Sequence, residues 1–112
     1  MYKFAVKNKV YADKTVAYLL YDEKNKAYRI EVPSDVKSKE TPAIIADFVE
    51  RGQRKIGEEW SLRWVKQRVI PPERQNIGQI LRENGMEYYD EFPLLLMNQG
   101  RCCQDECYLV EV

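Results

Sequence analysis

Three thiols and no imidazole set the chemistry open to this chain. Cys102, Cys103 and Cys107 fall in the run GRCCQDEC beside Arg101, Asp105 and Glu106, and the 112 residues contain no histidine. Structural zinc takes four Cys or His ligands, usually in paired CxxC-like spacing. Three thiolates with a carboxylate from Asp105 or Glu106 depart from that pattern, so no metal is expected. A nucleophilic cysteine needs a base, most often His. Arg101 favours a neighbouring thiolate, but Asp105 and Glu106 oppose it. Thiol-based chemistry over residues 102–107 therefore stands as an alternative. The simpler reading is a loop of half-buried thiols at a helix-to-strand corner, pinned by Arg101 pairing with Asp105. No catalytic residue, cofactor or metal ligand is assigned, and the chain is expected not to be an enzyme.

A second constellation is a pair of helices, 58–69 and 73–84, joined at Pro71-Pro72. The tight connection invites comparison with a helix-turn-helix. Helical spacing puts Gln75, Gln79 and Arg82 on one face of the second helix. These types hydrogen-bond base edges, while Arg63, Lys66, Arg68 and Arg74 suit phosphates. Nucleic-acid binding through Arg74, Gln75, Gln79 and Arg82 is thus an alternative function. Against it, such turns more often contain Gly than two prolines, and the plain reading is a solvated amphipathic helix.

The third is aromatic. The chain has eight Tyr and two Trp. At 100° per residue Trp60 and Trp64 share one face of helix 58–69, and Leu62, Val65 and Val69 share the other. A helix apolar on two faces is expected between layers. Trp, Tyr and Arg anchor many protein interfaces. If the Trp face is left uncovered, it forms a partner site with Trp60, Trp64, Arg68, Arg74 and Arg101; Tyr88 and Tyr89 lie on the same stretch. Tyr11, Tyr18, Tyr21 and Tyr28 belong to strands.

These residues need a scaffold, and one domain's worth of chain supplies it. The composition, 45% hydrophobic and 32% charged, is that of a folded globule. No apolar run approaches the ~20 residues of a membrane helix, and residues 1–11 lack a signal-peptide core, so a cytoplasmic location is expected. Three cysteines, two of them adjacent, argue against a disulfide framework. Net charge is zero, yet residues 51–82 carry eight Lys/Arg against three Glu, and residues 83–112 carry one Arg against seven Asp/Glu. Either a basic binding face or two mutually attracting segments follows, and overall neutrality favours the second.

Alternation over 2–12, the β-branched and aromatic run 15–21, and alternation over 26–32 predict three antiparallel strands. Turns are expected at Asp13-Lys14 and at 22–25, where Asn25 is able to take a left-handed conformation. Thr41-Pro42 opens a helix, with Thr41 as N-cap and Gly52 as the stop. Residues 53–57 read as a basic loop. Asp90 caps a last helix over 92–97 that is expected to be buried on most sides. Residues 107–112 read as a strand added to the N-terminal sheet. The expected fold is a single α+β domain, 1–112: a three-stranded meander plus the C-terminal strand, packed against about four helices.

The runs VAYLLYDEKNKAYRIEVP (16–33), FVERGQ (48–53), RQNIGQILRENG (74–85), YDEF (89–92) and GRCCQDECYLVEV (100–112) together resemble small bacterial proteins that accompany HipA-like kinases, the kinase class of certain toxin–antitoxin systems. The resemblance spans most of the chain and implies a regulatory or interaction role beside a larger protein. It implies no catalytic residues. The expected function is a non-enzymatic protein-interaction module whose partner is another protein, such as a HipA-like kinase. Self-association stays open.

Overall fold

Alternation in the first thirty residues becomes strand β1 (Tyr2–Asn8), β2 (Lys14–Asp22) and β3 (Ala27–Glu31) in the computed structural model, which describes residues 1–112. The remaining elements are α1 (Ala43–Glu50), β4 (Lys55–Ile56), α2 (Glu58–Lys66), α3 (Ile77–Glu83), α4 (Glu91–Met97) and β5 (Cys107–Glu111). The sheet order is β4-β3-β2-β1-β5, and every pairing is antiparallel. The fold is α+β.

Side chains at alternate positions divide between the two sheet faces. Phe4, Val6, Leu19, Tyr21, Tyr28, Ile30 and Leu109 enter one core cluster with residues of all four helices. Lys3, Arg29 and Lys55 on the opposite face are exposed. Ala5 belongs to that open face yet is buried, because it lies in register between Tyr18 and Val110. Two sequence readings need correction here. The first strand ends at Asn8, where the Asn8 side chain accepts from Val10 N–H and starts a short 3-10 turn over Lys9–Tyr11. In the β2–β3 turn Lys26, not Asn25, is left-handed. The Asp22 carboxylate holds that turn by accepting from Lys24 N, Asn25 N and Asn25 Nδ2.

The basic loop expected over 53–57 contains β4, which pairs Ile56 with Ile30 and Lys55 with Glu31. Two residues are too few to leave a periodic trace. Thr41 does not cap α1: its hydroxyl donates to Ser38 O at 2.7 Å, and Pro42 occupies the cap position. Gly52 ends α1 with φ +78°, donating to Val49 O. The last helix is buried on one side only: Leu94 and Leu95 are inside, whereas Leu96 and Met97 are 43% and 49% exposed. No helix is long and apolar enough to cross a membrane.

Glu40 ties the connector between β3 and α1 to the sheet. Its carboxylate accepts from Lys37 N–H at 2.9 Å and pairs with Lys14 Nζ at 3.1 Å, while its carbonyl accepts from Asn8 Nδ2. The Lys37 amide, then the Lys14 ammonium, holds the carboxyl below its ordinary value of 4.5. A lowered folded-state pKa means that stability is present above 4.5 and drains as pH falls through the lower value. Glu40→Gln is therefore expected to flatten part of the acid limb of stability. Urea midpoints for both proteins near neutral pH and at about pH 3 check this; parallel losses in the two would refute it.

Candidate functional site

The second helix is the element around which the candidate residues collect. Ser61, Trp64 and Val65 face the core, and Arg68, just past the helix end, follows them inward. Trp60 does not. It remains 42% exposed while Trp64 is 1% exposed. The two tryptophans share a helix face but not its burial: Trp64 enters the core cluster, whereas Trp60 meets Phe48 of α1 at the margin of that core. Leu62 is half-buried, and Val65 and Val69 are buried. One broad stripe is covered, so α2 is not sandwiched between two layers.

Trp60 is held from two sides. Phe48 of α1 meets its ring edge-on, with centroids 5.8 Å apart and planes at 69°. The Arg63 guanidinium lies 4.5 Å from the ring centroid and also pairs with Glu59, one turn back, at 3.2 Å. Arg51 stacks on Phe48 at 4.7 Å, with its Nε donating to Asp47 O. Each stacking orders an otherwise mobile side chain. The outcome is an aromatic pair flanked by two exposed guanidinium groups, a composition found at binding anchors. Arg63 reads as a phosphate ligand from sequence; its meeting with Phe48 at Trp60 requires α1 and α2 to come together.

Arg68 and Trp64 have no surface to offer a partner, which corrects their assignment as partner-binding residues. Arg68 is 4% exposed; its Nη1 donates to Gly100 O at 2.8 Å and its Nη2 pairs with Asp105 at 2.5 Å. Its guanidinium stacks on Trp64 at 4.2 Å. The partner expected for Asp105 was Arg101. Arg101 instead is exposed and lies 5.5 Å from the Tyr108 ring centroid, where Lys9 approaches at 5.7 Å. Arg74 is exposed between α2 and α3. Of the basic and acidic segments, only Arg68 and Asp105 meet as an ion pair.

The helix-turn-helix comparison also fails on geometry. Residues 67–76 separate α2 from α3, and α3 runs only from Ile77 to Glu83. Gln75 lies before the helix rather than on it. Gln79 donates to Glu83 at 3.1 Å, so its amide is engaged by a carboxylate on the face proposed for bases. Arg82 is exposed.

Among the tyrosines, Tyr21 stacks on Phe92 with ring centroids 4.1 Å apart and meets Tyr28 in a tilted pair at 4.6 Å. Burial raises both phenols above their ordinary value. Tyr89 donates to Ile70 O at 2.6 Å and Tyr11 to Lys39 O, while Tyr88 stays exposed. Tyr18 is half-buried on the open sheet face.

The three thiols occupy distinct environments. Cys103 is exposed, Cys102 intermediate and Cys107 buried. Burial, then the neighbouring Asp105 charge, pushes the Cys107 thiol up to about 12. It stays protonated near neutrality, and the thiolate is the reactive form. A thiol-reactive probe near neutral pH is expected to label Cys103 and Cys102 in the folded protein and Cys107 only after denaturation. Peptide mapping of the labelled sites decides this, and rapid native labelling of Cys107 would contradict it.

No protein-family model, no curated protein and no solved structure matches this chain.

Proposed function

We propose that the chain is a non-enzymatic, regulatory protein-interaction module that binds a larger protein through the α1–α2 edge. The observation that carries this reading is Trp60. A large apolar side chain left 42% exposed, yet immobilised by Phe48 and Arg63, gives contact area at little further cost in side-chain entropy. Arg51 and Arg63 beside it offer planar, charge-assisted donors. The resemblance to proteins that accompany HipA-like kinases makes such a kinase the first partner to test.

The test is capture of the tagged chain from its native lysate, with and without nuclease, followed by titration of the captured protein against wild type and Trp60→Ala. A nuclease-resistant protein whose binding depends on Trp60 supports the module. Protein bands that vanish with nuclease overturn it and favour nucleic-acid binding. Binding indifferent to Trp60 removes the α1–α2 edge.

A further inference from the structure

We propose that the open face of the sheet, across β2, β1 and β5, binds single-stranded nucleic acid. All four helices join the core cluster on the other face. The open face carries two aromatic rings. Tyr18 of β2 lies in register with Ala5 of β1, and Ala5 with Val110 of β5. Tyr108 of β5 lies in register with Lys7. Strand spacing and rise put the two tyrosines about 12 Å apart, with the small Ala5 side chain between them.

Cations surround both rings. Lys3 Nζ lies 4.5 Å from the Tyr18 ring centroid, and Lys9 Nζ and the Arg101 guanidinium lie 5.7 and 5.5 Å from that of Tyr108. Neither these three nor Lys7 forms an ion pair. Two carboxylates lie among them. Asp13 accepts from the Tyr108 hydroxyl at 2.8 Å, and Glu106 lines the same small pocket as Lys9 and Arg101. Asp105 lines it too but is held by Arg68. Glu111 is in register with Phe4 and so belongs to the other face. The far half of the open face is neutralised: Arg29 pairs with Glu58, and Glu31 lies in register with Lys55. In a chain of zero net charge, unpaired positive charge therefore gathers on the β1–β5 half, beside the rings.

That combination selects the ligand. Unpaired Lys and Arg alone would suit any polyanion, but an acidic peptide brings no flat groups for the rings. A nucleic-acid strand brings phosphates for the cations and base faces for the tyrosines, and such stacking is indifferent to sequence. A duplex keeps its bases stacked inside, so only a single strand can lay them on a sheet. An exposed cation–π contact is weak: a base displaces Lys3 from the Tyr18 ring, and the ammonium turns to the adjoining phosphate.

This surface is separate from the α1–α2 edge, and binding here goes beyond the interaction-module reading. The test is fluorescence polarisation of labelled oligothymidylate and oligouridylate, each of about 12 nucleotides, against the full chain. The tighter of the two tells DNA from RNA as the source. A duplex of the same length is expected to bind at least about tenfold more weakly. Replacing both lysines, Lys3→Gln with Lys7→Gln, is expected to weaken binding about tenfold or more and to lower the log–log salt slope by about 0.7 per cation. Tyr18→Leu is expected to weaken it about fivefold or more at unchanged slope, and Tyr18→Phe, which keeps the ring, to bind as wild type. Trp60→Ala is expected to leave it unchanged. No binding at about 50 mM salt, a duplex bound as tightly as a single strand, or a lysine variant with the wild-type salt slope overturns the proposal. Equal displacement of the strand by polyglutamate also overturns it, since the face would then be a general anion site. Loss of binding in Trp60→Ala with full binding in the lysine variant overturns it while leaving the α1–α2 edge in place.

Discussion

Arg68→Ala is expected to cost about 3–5 kcal/mol of folding stability, the loss typical of breaking a buried ion pair from one side. The Arg68 side chain is 2% exposed and Asp105 24%, so water screens the pair poorly. Truncation strands the Asp105 carboxylate and frees Gly100 O, and it uncovers the Trp64 ring. The effect spreads because Asp105 also accepts from Cys107 N–H, and Asn98 Nδ2 donates to Arg68 O at 2.7 Å. One side chain therefore joins the end of α2, the end of α4 and the start of β5. The pair is not ideal: Arg68 Nε and Trp64 Nε1 are buried without a hydrogen-bond partner, and such desolvated donors offset part of the gain. Urea unfolding of the wild type, Arg68→Ala, Asp105→Ala and the double variant measures the coupling. A loss below about 1 kcal/mol for Arg68→Ala, the range of a surface pair, would falsify this buried tie between α2, α4 and β5. Arg68→Lys is expected to recover little, because an ammonium cannot fork to two acceptors and stack on Trp64 at once.

The two tryptophans, alike in sequence, are expected to part company on substitution. Trp64→Ala empties a site that is 1% exposed, and truncating a buried Trp costs about 3–5 kcal/mol. Trp60→Ala removes a half-exposed ring whose cation–π contact with Arg63 is worth about 0.5–1 kcal/mol, so stability is expected to fall little. Partner affinity is expected to move the other way, with Trp60→Ala costing about 2 kcal/mol or more, roughly thirtyfold in Kd. Calorimetric melting of both variants, with titration of the partner against Trp60→Ala, separates the outcomes. Collapse of Trp60→Ala to an unfolded chain would mean that Phe48 and Trp60 serve the core and would leave the proposed surface without its anchor.

Several features were legible before any geometry was known. Strand β3 alternates Tyr28 and Ile30 inward against Arg29 outward, because successive strand side chains point to opposite faces. Gly52 marks the end of α1 because a left-handed residue closes the last turn and Gly takes that conformation without strain. Asp90 was recognisable as a cap, and its side chain accepts from Phe92 N–H. Thr41 was misread for a nameable reason: its hydroxyl found a closer backbone acceptor in Ser38. Helix 73–84 was read too long because apolar spacing at Ile77, Ile80 and Leu81 does not report that residues 71–76 form turns, with Arg74 N donating to Pro71 O and Ile77 N to Arg74 O.

The candidate sites divide along the same line. Sequence alone determined the strand alternation, the helix stops and the lack of a histidine base, since each depends on a residue type or on spacing along one element. It also selected α2 as the element where Trp and Arg gather. Only the tertiary structure decided that Trp64 and Arg68 are interior while Trp60 is exposed, that Asp105 belongs to Arg68 and not to Arg101, and that Lys55 and Ile56 join the sheet as β4. Those outcomes depend on which element lies across from which. Packing partners far apart in the chain, such as Phe48 with Trp60 and Arg68 with Asp105, leave no periodic signal in either segment by itself.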